Sequence, residues 1–300
     1  MGSTPLNAEK IVVIMGPTAS GKSALALELA RRCGGEIVSV DSMQLYRGLE
    51  IGTAQPTAEE RRETPHHLVG CFDFHTRVDV FTYVRLADRA IAEIRARGRL
   101  PILAGGTGLY LRALLYGLDD LPADRELRRE LDEAYDSDRG EEALKQRMAK
   151  LDPAGLARWE NCRRRLIRAL EVRLLTGKSI LELQNNPFDE LRYPVRAWRL
   201  DPPAEELKER IRIRARKMLD SGWIEEAAAA VKAGLLETPT AHQAIGYRLI
   251  AEHLAGKLDL ETLHERISTV TWQFARRQRT WFRHQHPEAE VYELGAQIVP

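Results

Sequence analysis

The feature that most constrains the fold is a glycine-bearing segment, residues 16–23, placed directly after a short apolar run. The run Ile11–Met15 is β-rich and apolar throughout, as expected of a strand buried on both faces of a parallel sheet. The segment reads Gly-Pro-Thr-Ala-Ser-Gly-Lys-Ser, which fits the pattern G-x-x-x-x-G-K-[ST], and a helical pattern follows it. This order of strand, loop and helix predicts a phosphate-binding loop at the start of an α/β domain.

The residue types in this loop suit a chain of phosphates. Glycines let backbone N–H groups point at phosphate oxygens, and the start of the next helix adds a partial positive charge. Lys22 would add a full charge, and Ser23 would be a ligand for Mg²⁺. An ordinary strand-to-helix turn is the weaker alternative. The motif predicts a bound diphosphate or triphosphate and does not distinguish the two.

Apolar strands alternate with helical patterns over the first part of the chain. A second strand is predicted at 36–40, ending in Asp41, and a third at 100–104, ending in a Gly-Gly-Thr-Gly segment. A strand, a helix and a strand within about 30 residues form a βαβ unit. The sequence therefore predicts a parallel sheet with helices packed on it.

The middle of the chain has a different pattern. It is mainly charged and helical, with breaks predicted at Gly140 and at Asp152-Pro153, and one more strand at 196–200 then returns to the sheet. The predicted organisation is a first part of the α/β core at 1–117, a helical insertion at 118–195, and a return to the core with C-terminal helices at 196–300.

Asp41 is the carboxylate expected nearest the phosphates, because the carboxyl ends of parallel strands face one crevice. The strand at 100–104 ends in glycines and lacks the terminal Asp that P-loop NTPases place near Mg²⁺, which argues against plain ATP hydrolysis. From the residues alone, a metal ligand, a helix cap and a general base are equal interpretations of Asp41.

Composition excludes several classes of protein. The 300 residues are 44% hydrophobic and 30% charged, which is typical of a globular protein in water. Lys+Arg number 45 against 44 Asp+Glu, so any polyanion must be bound by local clusters. Cys33, Cys71 and Cys162 lack disulfide or zinc spacing and fit a reducing cytoplasm. No signal peptide or membrane span is apparent, so we expect no membrane contact.

Seven sequence blocks occur in a characteristic order: GPTASGKS (16–23), DSMQLYRGLEIGTAQP (41–56), PHHL (65–68), GGTGLYLRALLYGL (105–118), RRLIRALEV (164–172), QAIGYR (243–248) and RRQRTWFR (276–283). Together they resemble the bacterial tRNA dimethylallyltransferase family, also called tRNA isopentenyltransferases. The resemblance runs over nearly the whole chain. It implies an α/β fold with a P-loop kinase-like core, in which a parallel sheet is flanked by helices, plus an inserted all-helical domain.

The resemblance also implies an activity. Family members transfer a dimethylallyl group from dimethylallyl diphosphate to N6 of the adenine at position 37 of tRNA, just 3′ of the anticodon, and release diphosphate. The implied cofactor is Mg²⁺, with Ser23 as its ligand. The implied partners are the tRNA anticodon stem-loop and dimethylallyl diphosphate, and we expect a monomer.

Site residues follow from the same resemblance. The loop residues that would hold the diphosphate are Gly16, Thr18, Ala19, Ser20, Gly21, Lys22 and Ser23. Asp41 would take the proton from the adenine amine, and Thr107 and Arg214 would contact the diphosphate. The residues that would face tRNA are Asp41, Ser42, Met43, Gln44, Arg128, Arg164, Arg165, Arg168, Gln243, Gly246, Tyr247, Arg248, Arg276, Arg277, Gln278, Trp281 and Arg283.

Local patterns agree with these roles. Arg214 lies beside a buried helical stripe, where an ion pair with a buried carboxylate would otherwise be an equal interpretation. Six arginines lie between 158 and 173, and four between 276 and 283 alternate with Trp281 and Phe282. Arginines with aromatic residues suit RNA phosphates and unpaired bases. Either cluster alone would be interpreted as a solvated helix face.

Three other functions stay open. An adenylate isopentenyltransferase would modify a free nucleotide, although it would not need the arginine-rich insertion. A small-molecule P-loop kinase would place ATP on residues 16–23. A nucleotide-switched RNA-binding module would use the same loop without chemistry.

Overall fold

The computed structural model describes residues 10–184, 190–286 and 289–292. Residues 1–9, in which no signal peptide is expected, lie outside the described part. The chain divides into two compact units, one formed by residues 1–115 and 191–300 and the other by residues 116–190. Within the described residues, no helix is long and apolar enough to cross a membrane.

The first unit contains a parallel six-stranded sheet. Its strands are β1 (Ile11–Met15), β2 (Gly35–Val40), β3 (His66–His67), β4 (Leu100–Gly105), β5 (Val195–Arg199) and β6 (Glu290–Val291), in the order β3-β2-β4-β1-β5-β6. β1 is central and buried along its length, as predicted, with Val13 opposite Leu103 and Ala197. The strands predicted at 36–40, 100–104 and 196–200 are confirmed to within one residue at each end.

The helices are numbered along the chain. They are α1 (Lys22–Cys33), α2 (Ala58–Glu63), α3 (Val80–Ala96), α4 (Gly108–Tyr116), α5 (Arg125–Ala134), α6 (Asp138–Leu151), α7 (Pro153–Trp159), α8 (Arg163–Thr176), α9 (Ile180–Leu183), α10 (Ala204–Met218), α11 (Ile224–Lys232), α12 (Tyr247–Leu254) and α13 (Leu260–Gln285).

Packing of the first unit follows the sequence pattern. α1 places Leu25 and Leu29 against Val12 and Ile14 of β1, forming part of one apolar cluster on the sheet. α10 and α13 pack through Leu207, Ile211 and Ala275. These contacts fix α1, α10 and α13 around the carboxyl ends of the strands, where parallel α/β sheets bind their ligands.

The second unit is helical and has its own core. That core includes Leu131, Leu144, Met148, Leu166 and Leu170, contributed by α5, α6 and α8. A unit of this kind can bury its apolar surface without help from the sheet.

One predicted helix break is confirmed and one is wrong. α6 ends at Leu151 and α7 begins at Pro153, with Asp152 accepting the Gly155 N–H as its cap. No break occurs at Gly140, because Gly140 lies in the first turn of α6 and its N–H is bound by the capping Ser137 side chain. A Cβ at Gly140 would lie 2.7 Å from the Tyr135 Cα, so the glycine permits a close chain approach and does not end the helix.

Candidate active site

A cavity of about 350 Å³ opens at the carboxyl ends of β1, β2 and β4. Most of the residues predicted for the diphosphate and the adenine line it: Thr18, Ala19, Lys22, Ser23, Asp41, Ser42, Met43, Gln44, Thr107 and Arg214. Three residues predicted to face tRNA line it as well: Gln243, Arg277 and Gln278. Gly16, Ser20 and Gly21 of the predicted diphosphate site are not among its lining residues. Residues up to 260 positions apart in sequence thus face one volume, which makes this cavity the candidate active site.

The loop at 16–23 has the backbone of a phosphate cradle. Ala19 adopts φ +61° and Gly21 φ +97°, left-handed conformations that turn successive N–H groups to one side. A Cβ at Gly16 would lie 2.5 Å from the Leu200 carbonyl oxygen, so only glycine fits there. The Ser20 hydroxyl is buried and has no hydrogen-bond partner among the described residues.

The backbone N–H of Thr18 has a partner inside the protein. The Thr18 N–H donates to Gln278 Oε1 at 2.8 Å, so this group is already bound within the protein. The Ser20 N–H likewise donates to the Pro17 carbonyl at 3.3 Å. The other N–H groups of the loop, the hydroxyls of Thr18 and Ser20, and the side chains of Lys22 and Ser23 are the donors left for phosphate oxygens.

Two positively charged side chains, Lys22 and Arg214, lie at the cavity and form no ion pair with a carboxylate among the described residues. The Lys22 Nζ donates to the Pro17 carbonyl at 2.8 Å, whereas Arg214 has no hydrogen bond or ion pair in the described part of the chain. Desolvation and the Arg214 charge lower the pKa of Lys22 to about 8, although Asp41 opposes them. Desolvation also lowers the pKa of Arg214, and Asp41 again opposes this. Cations that repel each other in a partly desolvated cavity form a site for an anion.

Asp41 has one carboxylate oxygen engaged and one available. Oδ1 accepts from the N–H groups of Met43 at 2.9 Å and Gln44 at 3.3 Å, while Oδ2 has no hydrogen bond among the described residues. The helix-cap interpretation is wrong, because the residues after Asp41 form a turn and not a helix. A carboxylate that lines the cavity and has one oxygen without a partner among the described residues suits a base.

Thr107 joins the ends of β2 and β4. Its Oγ1 accepts from the Ser42 N–H at 3.0 Å, and its own N–H donates to the Val40 carbonyl at 3.0 Å. This brings the predicted diphosphate residue Thr107 next to the segment predicted to meet the adenine.

Gln44 uses its side chain inside the protein. Its Oε1 accepts from the Ser39 hydroxyl at 2.8 Å, and its Nε2 donates to the carbonyls of Thr53 and Ala54 at 3.1 and 3.0 Å. Both N–H groups of the Gln44 amide are therefore used inside the protein, and a contact with tRNA through this side chain would have to use the second lone pair of Oε1.

The residues predicted to face tRNA at the start of α12 and in the turn before it differ in exposure. Gln243 and Arg248 are exposed, whereas Gly246 and Tyr247 are buried. The Tyr247 hydroxyl donates to Glu226 Oε1 at 2.7 Å, and the desolvation and the nearby Glu226 charge raise the pKa of Tyr247. Tyr247 thus stabilises the turn, and a direct contact with tRNA would have to come from its neighbours.

Sequence reasoning missed Glu226. Its carboxylate accepts from the N–H groups of Ile51 at 2.7 Å and Gly52 at 2.8 Å. It thus binds the same loop whose next two carbonyls, of Thr53 and Ala54, accept from Gln44. A Cβ at Gly52 would lie 2.3 Å from the Trp223 Nε1. Glu226 follows another glutamate at the start of α11, and no local pattern marks either as special.

The predicted tRNA residues of α13 differ in exposure. Arg276 and Arg277 are exposed, and Arg277 lies over the Phe274 ring at 5.9 Å. Gln278 is buried, and Trp281 is half-buried with its indole N–H unbonded among the described residues.

Arg283 is bound within the protein. It and Arg279 each donate to Asp201 at 2.6 Å, one on each carboxylate oxygen. Arg276 and Arg277 therefore remain the best placed of the α13 residues for RNA phosphates.

In the second unit, too, some of the arginines predicted to face tRNA are exposed and others are paired inside the protein. Arg164 and Arg165 are exposed and have no ion pair in the described part of the chain. Arg128 and Arg168 bind the buried Glu171 carboxylate, which also accepts the Asp124 N–H at 3.0 Å. Burial opposes ionisation of Glu171, but these donors hold its pKa below the ordinary value. Arg128 and Arg168 therefore have a structural role that the sequence did not predict.

We expect Glu171→Ala to destabilise the second unit. Removal of the carboxylate takes this partner away from two guanidinium groups and a backbone N–H. The free energy of unfolding should fall by at most about 3–5 kcal/mol. Denaturant unfolding followed by circular dichroism measures the loss. Arg164→Ala is the matched control because its side chain is exposed, and an equal loss in both variants would contradict the structural role of Glu171.

Comparison with known proteins agrees with the geometry. The family model described as IPP transferase matches residues 44–285, and the model described as isopentenyl transferase matches residues 9–69. The chain belongs to the IPP transferase family. It is similar to the tRNA dimethylallyltransferase of Anaeromyxobacter dehalogenans (strain 2CP-C), with 48% identity over 91% of this chain and 92% of the relative. The corresponding protein of Geobacter sulfurreducens is 43% identical over 94% of this chain and 92% of the relative.

Solved structures extend the match to the fold. The tRNA isopentenylpyrophosphate transferase of Bacillus halodurans superposes with a TM-score of 0.68 at 38% identity, covering 95% of this chain and 89% of that one. A eukaryotic dimethylallyltransferase acting on tRNA gives a TM-score of 0.77 at 28% identity, covering 95% of this chain and 73% of that one. The predicted family, the P-loop kinase-like α/β fold and the class of prenyl-transferring enzyme are confirmed, and the activity of this family is dimethylallyl transfer to a tRNA adenine.

Proposed function

We propose that this chain transfers the dimethylallyl group to N6 of adenine 37 in the tRNA anticodon stem-loop, and that the cavity at the strand ends is where it does so. One observation carries the proposal: Lys22 and Arg214 form an anion site next to the free Oδ2 of Asp41. The two cations would bind the negatively charged diphosphate, and the free carboxylate oxygen would accept a proton from the adenine amine.

The chemistry needs a base on one side and positive charge on the other. The adenine amine is a weak nucleophile, because its lone pair is delocalised into the ring. As N6 bonds to C1 of the dimethylallyl group, the C1–O bond breaks and its electron pair leaves with the diphosphate. Asp41 Oδ2 accepts the N6 proton, while Lys22 and Arg214 stabilise the negative charge that develops on the diphosphate. Thr107 would contact the same diphosphate through its hydroxyl.

The residues at the cavity fit Mg²⁺. The Ser23 hydroxyl is exposed at the start of α1, and Asp41 is the one carboxylate among the cavity-lining residues that the structure describes. Mg²⁺ is usually held by few protein oxygens together with substrate phosphates and water. We assign Ser23 as its protein ligand. When bound, the ion would add positive charge at the diphosphate.

The tRNA is assigned to arginines that have no carboxylate partner in the described residues. These are Arg164, Arg165, Arg248, Arg276 and Arg277, all exposed. The helical insertion at 118–195 would contact tRNA through the first two. A monomer fits the proposal because one chain supplies every residue of the cavity. A cytoplasmic location fits because Cys33, Cys71 and Cys162 are free thiols.

One experiment separates the candidate functions. The protein is incubated with unmodified tRNA and labelled dimethylallyl diphosphate, and in parallel with AMP in place of tRNA and with labelled ATP. Label in tRNA supports the proposal. Label in AMP indicates an adenylate isopentenyltransferase, phosphoryl transfer from ATP indicates a kinase, and tRNA binding without transfer indicates an RNA-binding module.

We expect diphosphate binding to take up protons near pH 8. The pKa of Lys22 is about 8 without ligand, and a bound anion favours the charged form, which raises this pKa. Lys22 thus gains a proton on binding, and affinity should fall as pH rises from about 8 towards the pKa of the bound state. Titration calorimetry at pH 8 in two buffers of different ionisation enthalpy measures this uptake. Equal apparent enthalpies in both buffers would contradict it, and Lys22→Met should abolish it.

We expect exposed arginines to set the salt dependence of tRNA binding. In Arg165→Ala and Arg277→Ala, each lost phosphate contact should flatten the slope of log K against log salt by about 0.7 to 0.9. Filter binding at several salt concentrations measures it. Arg129→Ala is the control, because Arg129 is exposed in the second unit but paired with Glu126 and Glu133. A wild-type slope in the Arg165 and Arg277 variants would place tRNA on another surface.

A further inference from the structure

Gln278 joins two loops at the floor of the cavity. Its Oε1 accepts from the Thr18 N–H in the phosphate-binding loop at 2.8 Å, and its Nε2 donates to the Gly106 carbonyl after β4 at 2.8 Å. The side chain comes from α13, 260 positions from Thr18 and 172 from Gly106. A single amide thus links three elements that are distant in sequence.

Burial makes both bonds matter. Gln278 is 7% exposed, and the Gly106 carbonyl lies in a buried residue, so neither group has ready access to water. An apolar side chain in place of the amide would leave the half-buried Thr18 N–H and the buried Gly106 carbonyl without their partner. A carboxylate would accept from Thr18 but could not donate to Gly106, so glutamine is the residue type that satisfies both groups.

The Gln278 amide also packs closely against the backbone at Gly106. A Cβ at Gly106 would lie 2.3 Å from the Gln278 Nε2, so glycine at 106 lets the amide approach. The next residue, Thr107, is tied to Val40 and Ser42. The pairing of β1 with β4 brings the starts of the two loops together, with Met15 opposite Gly105, and the Gln278 bridge then links the loops beyond the strand ends.

We propose that Gln278 is a positioning residue, which holds the phosphate-binding loop and the Gly106-Thr107 loop at the separation that a diphosphate requires, and that it does not contact tRNA. The inference rests on the proposed diphosphate site and revises the tRNA role implied by resemblance. Its neighbours Arg276 and Arg277 are exposed on the same helix and stay candidates for RNA contact.

The test compares two ligands in one set of variants. In Gln278→Met we expect the affinity for inorganic diphosphate to fall by about 10-fold or more, because one buried and one partly buried hydrogen bond between the two loops are lost. We expect tRNA affinity to stay within about two-fold of wild type. Arg276→Ala is the matched control on the same helix, and it should weaken tRNA binding and leave diphosphate binding unchanged. Calorimetry with diphosphate and filter binding with tRNA give the two affinities.

A second variant tests the bridge from its other end. Gly106→Ala should displace the Gln278 amide and weaken diphosphate binding by a similar factor. Because both substitutions break one bridge, the double variant should be little worse than either single variant. If Gln278→Met does not fold, the Gly106→Ala single variant still tests the bridge, and unchanged diphosphate affinity in that variant would overturn the proposal. Additive losses in the double variant would overturn the proposal.

Three further outcomes separate this inference from the proposed function. If Gln278→Met loses tRNA affinity and retains diphosphate affinity, Gln278 contacts tRNA and the inference is wrong. If Lys22→Ala binds diphosphate as tightly as wild type, the loop is not the diphosphate site, and both the proposed function and the inference fail. A loss in Lys22→Ala with no loss in Gln278→Met overturns the inference alone.

Discussion

Asp41→Asn should lower the single-turnover rate of prenyl transfer by about 10²- to 10⁴-fold, the usual range for loss of a general base. The amide oxygen can replace Oδ1 and still accept from the N–H groups of Met43 and Gln44, so the turn after β2 should persist. The amide nitrogen that replaces Oδ2 has no lone pair available for a proton. The chemical step is therefore slowed while the shape of the site is retained.

Binding measurements make this prediction specific. Asp41→Asn removes a negative charge from a cavity that holds Lys22 and Arg214, so diphosphate affinity should stay the same or increase. The affinity for tRNA should stay near that of wild type. A rapid-quench assay with saturating substrates gives the rate. An unchanged rate would show that another group takes the proton, and a loss confined to tRNA affinity would make Asp41 a binding residue.

The sheet and the phosphate-binding loop could be predicted because their signals are local. A run such as Ile11–Met15 is apolar at every position, since β1 is buried on both faces. The loop at 16–23 is recognised from glycines, a lysine and a serine at fixed spacing, flanked by a strand and a helix. Such patterns need no knowledge of distant residues.

The wrong prediction at Gly140 has an equally local cause. Glycine is the usual helix terminator, but the Ser137 cap three residues earlier accepts the Gly140 N–H and so begins a helix there. The serine was the stronger signal of the two, because it satisfies a backbone donor that glycine alone leaves free.

Roles of individual arginines could not be predicted, because they depend on partners far away in sequence. Arg128 and Glu171 are 43 positions apart, and Arg283 and Asp201 are 82 apart. A cluster of arginines in the sequence includes both exposed residues and residues paired inside the protein. Arg168, which the cluster at 158–173 suggested for tRNA, binds Glu171, so Arg168→Ala should cost stability and is unsuited to a test of RNA binding.

Arg214→Ala should lower kcat by about 10²- to 10³-fold, the range for removing one donor that stabilises developing charge. Arg214 lies at the cavity without a hydrogen bond or ion pair among the described residues, so it is free to meet the diphosphate. Its contribution should be largest when the C1–O bond breaks, because the leaving diphosphate then gains charge. Most of the loss should therefore be in kcat, with a smaller change in KM.

The pKa of Lys22 gives a second, independent measurement on Arg214→Ala. The Arg214 charge lowers the pKa of Lys22, so in Arg214→Ala this pKa should rise above its value of about 8. The proton uptake that accompanies diphosphate binding at pH 8 should then become smaller, because Lys22 is already protonated in the free enzyme. Arg214→Lys should retain the charge effect on Lys22 and lose part of kcat, since an ammonium cannot bind two phosphate oxygens as a guanidinium does. If Arg214→Ala changed neither kcat nor the proton uptake, the guanidinium would lie away from the diphosphate, and Lys22 with Mg²⁺ would have to stabilise the leaving group without it.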